Sequence, residues 1–90
     1  GFMEVVYKEK ALKDLLYWKK SGDLNAQHKI SKLVYDIQLH PKTGLGKPEE
    51  LKYELSGLWS RKIDKKNRLI YEIHKDCIHI LSMLGHYSDK

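Results

Sequence analysis

The alternation of apolar and polar positions changes period along the chain, and the changes mark the elements. Residues 3–7, MEVVY, are short, β-branched and aromatic, which predicts a strand. The period then lengthens. Ala11, Leu12, Leu15, Leu16 and Lys19 recur at helical spacing with charges between them, and Ser21-Gly22 supplies a stop. Asp23 is placed to cap a second helix, in which Ile30, Leu33, Val34 and Ile37 form one apolar stripe that ends at His40-Pro41. Two short helices joined by a tight link predict an antiparallel pair. Residues 41–57 are rich in Gly, Pro and charge and read as loop, with a turn of helix over 48–51, where Pro48 suits a first helical position.

Three strand-like runs follow, over 58–64, 68–74 and 77–87, separated by the turn-like KKN and KD. In the middle run Leu69, Tyr71 and Ile73 fall on one face, and Arg68, Ile70, Glu72 and His74 on the other. The last run is apolar on both faces, as an interior strand is. The predicted order is therefore β-α-α-β-β-β: a single α+β domain over 1–90, an antiparallel four-stranded sheet with both helices on one face and the other face open. No internal repeat or low-complexity tract interrupts it.

Ninety residues make one domain whose core is a single layer deep, which leaves no room for a separate substrate domain. Seventeen Lys and Arg against twelve Asp and Glu give a net charge of +5, favouring a polyanionic partner without choosing which. The single cysteine, Cys77, excludes an internal disulfide, and no secretion-signal layout opens the sequence, so a cytoplasmic protein is expected. No apolar run approaches the roughly 20 residues that cross a bilayer, so no membrane is expected either.

Charge gains meaning in the stretch GKPEELKYELSGLWSRKI (46–63), where Glu49 and Glu50 sit among Lys47, Lys52, Arg61 and Lys62. Across the KKN turn, Lys62 and Arg68 share a sheet face that could hold a phosphate backbone, or could simply be solvated. Metal-free RNA cleavage needs a base for the ribose 2′-hydroxyl, an acid for the leaving 5′-oxygen and a cation for the charge gathering on phosphate. A carboxylate, an imidazole and an arginine meet that need. Spacing alone leaves Glu49 and Glu50 equivalent, and acids at a helix start have an ordinary dipole explanation. Of the five histidines, His86 stands at a strand end beside Tyr87, where a rigid sheet can present a side chain. HKDCIH (74–79) offers His74, Cys77 and His79 to zinc, but it straddles a hairpin turn and shows no fourth ligand, so neither metal nor other cofactor is expected.

Four ordered motifs, GKPEELK, LSGLWSRKI, NRLIYEI and the closing GHY, together with LKDLLYW in the first helix, resemble the YoeB toxins within the RelE group of bacterial toxins. The resemblance covers nearly the whole chain. It implies a RelE-like fold and a ribosome-dependent endoribonuclease that cuts mRNA in the ribosomal A site and is neutralised by a YefM-like antitoxin. It also implies homodimerisation. Carried over by motif, the general base is Glu49, the general acid His86 and the transition-state cation Arg68, while Tyr87 shapes the site. Lys47, Lys52, Arg61 and Lys62 correspond to basic positions that bind RNA or the ribosome.

Three features depart from the pattern. SRKI stands where the family usually has SRRI, and Lys62 lacks the planar fork that grips phosphate in a bidentate way. Leu84 occupies a position that is commonly basic, and Ser88, Asp89 and Lys90 extend beyond the usual final tyrosine. The competing reading is a ParE-like binding module acting on another target such as DNA gyrase. Such relatives generally lack the Glu and His pairing, so the presence of Glu49, Arg68 and His86 favours the enzyme.

Overall fold

The computed structural model describes residues 2–85. The elements run β1 (Glu4–Tyr7), α1 (Glu9–Ser21), α2 (Leu24–Leu39), β2 (Glu49–Glu50), a 3-10 turn (Tyr53–Leu55), β3 (Leu58–Lys62), β4 (Arg68–Ile73) and β5 (Cys77–Ser82). Helix α1 stops where Gly22 takes a left-handed conformation, φ 76°, which costs a residue without Cβ little. One residue later the Asp23 carboxylate accepts from the Ala26 N–H at 3.0 Å and starts α2. The expected helical pair is present with the expected ends.

The sheet order is β1-β5-β4-β3-β2. Strands β3, β4 and β5 form the predicted antiparallel meander, with Lys62 directly opposite Arg68. Two details depart from a four-stranded antiparallel sheet. Strand β1 runs parallel to β5, pairing Glu4 with Cys77 through Tyr7 with Ile80. Residue alternation specifies a strand but not its direction, and the two intervening helices give the chain length enough for a parallel pairing. The predicted turn of helix over 48–51 is instead the fifth strand, because Glu49 and Glu50 pair with Ser60 and Trp59 on the otherwise unpaired edge of β3. The helical turn comes later, at Tyr53–Leu55.

Both helices contribute to one core against one sheet face. Ala11, Trp18, Ala26, Ile30, Leu33 and Ile37 meet Leu69, Tyr71, Ile78, Ile80 and Met83, all buried. Ile70 is also buried but stands outside that cluster, as its alternation with Leu69 and Tyr71 requires. Two polar ties fix the end of β5 on α1: Trp18 Nε1 donates to the Met83 carbonyl at 2.7 Å, and the buried Asp14 carboxylate accepts from the Met83 N–H at 2.9 Å. Leu84 packs partly buried against the same core. Among the described residues, no helix is long and apolar enough to cross a membrane.

Candidate active site

The open sheet face carries the site. Because antiparallel partners project to the same side, the register Glu49–Ser60–Ile70 puts Glu49 on the face opposite the helices, and Lys62–Arg68 lies one pleat further along it. The Arg68 Nη1 and Glu49 Oε1 stand 4.0 Å apart, with the Arg68 side chain 21% and the Glu49 side chain 60% exposed. Glu50 pairs with Trp59, which packs against the core, so it projects to the other side. The carboxylates that spacing leaves equivalent are thus distinguished by pleat alone. Among the described residues the Arg68 guanidinium makes no closer polar contact than this one. Lys62 is half-buried beside it, and Lys47 and Lys52 are exposed.

The beginning of β4 is tied to the end of the described chain. Asp64 accepts from the N–H groups of Lys66 and Asn67 and from Asn67 Nδ2, closing the KKN turn. Burial works to raise its carboxyl pKa, but these hydrogen bonds outweigh burial and hold it below the usual value. Asn67 Oδ1 accepts from the Gly85 N–H at 2.8 Å, and the Gly85 carbonyl accepts from the Arg68 N–H at 3.0 Å. Asn67 was not singled out by the sequence pattern, where it reads only as a turn residue. His86 and Tyr87, together with the Ser88–Lys90 tail, lie outside the described residues.

Arg61 requires correction. Expected to face RNA or the ribosome, it is 0% exposed. Its alternation partner Leu69 faces the helices, and Arg61 projects with it. The guanidinium donates five hydrogen bonds: to Tyr71 Oη, to Asp36 Oδ2, and to the carbonyls of Leu45, His40 and Thr43. Tyr71 Oη in turn donates to the Pro41 carbonyl at 2.6 Å. All five guanidinium donors are therefore used, three of them on carbonyls of the segment after α2 that would otherwise be left as orphan acceptors. Asp36 completes the clamp by accepting from the Leu45 N–H at 3.0 Å. Sequence spacing could not separate this arginine from an exposed one, since its acceptors are mostly backbone.

The clamped loop delivers the chain to Glu49. Gly46 has φ 77°, its carbonyl accepts from the Lys62 N–H at 2.7 Å, and Lys47 also takes a left-handed conformation, φ 54°. A Cβ on Gly46 would lie 2.8 Å from Leu33 Cδ2 and 3.2 Å from both Arg61 Cβ and the Lys62 carbonyl. Gly46→Ala is therefore expected to destabilise the fold by about 1–3 kcal/mol, the usual range for overpacking. A shift of the urea midpoint checks this; an unchanged midpoint would mean the loop is not held as described.

The chain also matches known proteins over most of its length. The family model described as YoeB-like toxin of bacterial type II toxin-antitoxin system matches residues 7–87. The chain belongs to the YoeB toxin family. Toxin YoeB of Escherichia coli K12 is 39% identical over 85 residues, which is 94% of this chain and 100% of that protein. Two Staphylococcus aureus structures are similar throughout: the YoeB dimer, with TM-score 0.86 and 32% identity, and the YoeB-YefM complex, with TM-score 0.83 and 31% identity. Each covers 97% of this chain and 100% of its own. The two structures share the chain's fold over nearly its whole length.

Proposed function

We propose that this YoeB-family toxin is a ribosome-dependent endoribonuclease that cuts mRNA in the ribosomal A site by general acid–base chemistry. The observation that carries the reading is the placement of Glu49 and Arg68 4.0 Å apart on the sheet face that the helices leave open. Glu49 takes the proton of the ribose 2′-hydroxyl, whose oxygen attacks the adjacent phosphorus. Arg68 stabilises the charge that develops on the phosphoryl oxygens. His86 gives its proton to the departing 5′-oxygen, and Tyr87 shapes the site around the substrate. The P–O5′ bond breaks, leaving a 2′,3′-cyclic phosphate and a 5′-hydroxyl. Lys47, Lys52 and Lys62 attract the RNA or ribosome, while Arg61 acts from inside by holding the loop that leads to Glu49.

The protein acts in the cytoplasm, where its ribosomal substrate is, and forms a homodimer that a YefM-like antitoxin neutralises. The net charge of +5 suits an acidic antitoxin segment that folds onto the basic surface. The test is primer extension on one mRNA, free and in programmed ribosomes, with the purified toxin. Cuts are expected only on ribosomes and only within the A-site codon. An intact mRNA in both samples, with inhibition of DNA gyrase instead, would replace the nuclease by a ParE-like binding module.

A further inference from the structure

The hairpin joining β4 to β5 gathers a second cluster of side chains on the same open face, remote from Glu49. Glu72 on β4 meets the side chain of His74, one residue beyond the end of that strand, and His79 on β5 lies directly opposite Glu72. The connecting turn is closed by the His74 N–H donating to the Cys77 carbonyl at 2.9 Å. Glu72 Oε1 lies 2.7 Å from His74 Nε2, and the two imidazole rings approach with centroids 3.9 Å apart and planes 33° from parallel. One ligand atom from each of the three groups lies within 4.8 Å of the others.

We propose that Glu72, His74 and His79 bind a divalent transition-metal ion such as zinc at the β4–β5 hairpin. Two imidazole nitrogens and one carboxylate oxygen are a donor set suited to zinc, copper or nickel, and three protein ligands leave a position for water. Zinc bonds of about 2.0–2.2 Å place tetrahedral ligand atoms about 3.3 Å apart, so small rotations about the side-chain torsions convert the cluster into a site. The sequence pattern HKDCIH points to Cys77 as the third ligand, but the register substitutes Glu72, which contiguous spacing could not reveal. Four residues along β4 separate Glu72 from Arg68, about 13 Å, so an ion here stands apart from the proposed catalytic pair. Its effect is to cross-link β4 to β5 and to stabilise the native chain in proportion to metal concentration.

The test is calorimetric titration of the full, tag-free chain with zinc chloride, with magnesium chloride as a parallel arm. One zinc per chain and no magnesium uptake are expected. His74→Ala, His79→Ala and Glu72→Gln should each weaken zinc binding by at least about 10–100-fold, the loss that even outer-sphere changes can cause. Cys77→Ser should bind as the parent does. Circular dichroism of each variant establishes that it is folded, and the half-exposed Glu72 and His74 are sites where folding should survive. Failure of the parent to bind one zinc would overturn the proposal. So would a His74→Ala/His79→Ala double variant that binds like the parent, or loss of binding in Cys77→Ser.

Discussion

Glu49→Gln is expected to lower the single-turnover rate of mRNA cleavage on programmed ribosomes by about 10²–10⁴-fold, the typical contribution of a positioned proton acceptor. The amide keeps the shape and exposed position of the side chain, so ribosome binding and thermal stability should stay close to those of the parent. The control lies one residue away. Glu50 pairs with Trp59 and projects from the opposite side of β2, so Glu50→Gln should cut at nearly the parent rate. Loss of cleavage in Glu50→Gln, with Glu49→Gln unaffected, would mean that the pleat assigns the wrong carboxylate. His86→Gln should resemble Glu49→Gln, since each removes one proton transfer of the proposed mechanism.

Asp36→Ala is expected to cost about 3–5 kcal/mol of stability, because it leaves the fully buried Arg61 charge without its carboxylate partner. It also removes the acceptor for the Leu45 N–H, loosening the loop that carries Gly46 toward Glu49. Replacing both partners by apolar residues, Asp36→Leu with Arg61→Met, should recover part of the loss, since no buried charge then remains unpaired. The pair also predicts a pH dependence. Burial raises the Asp36 carboxyl pKa, but the Arg61 hydrogen bond, the Leu45 N–H and the Arg61 charge outweigh it, and the net shift is downward. A depressed folded value means that the stabilisation is complete above the unfolded carboxyl value of about 3.9 and disappears as pH falls through the lower folded value. Urea midpoints measured from pH 7 to pH 2 should therefore fall more steeply at the acid end for the parent than for the double variant. Equal slopes would remove Asp36 from the acid-sensitive groups.

Much of this arrangement was legible because it is local. The period change after Tyr7, the Gly22 stop and the Asp23 cap are each decided within a few residues, and the structure places all three as read. The shared face of Lys62 and Arg68 follows from a short turn between alternating runs. What escaped depends on distant partners. Glu49 and Glu50 form a strand only because the edge of β3 is there to receive them, and Arg61 turns inward because Asp36 and three loop carbonyls await it. A lone Arg in a run of cations carries no sign of either. The same limit applies to Asn67, whose bond to Gly85 spans 18 residues, and to Glu72, which joins His79 only through the hairpin register.

One altered sugar decides whether the RNA supplies its own nucleophile. An mRNA with a 2′-deoxy nucleotide immediately upstream of the cut still pairs with tRNA in the ribosome but lacks the hydroxyl that becomes intramolecular with the phosphate. Programmed ribosomes carrying it should resist the toxin, while the all-ribose control is cut to a 5′-hydroxyl fragment and a 2′,3′-cyclic phosphate or its 3′-phosphate hydrolysis product. Cleavage of the deoxy mRNA at the control rate, leaving a 5′-phosphate, would show that water is the nucleophile and contradict the role given to Glu49.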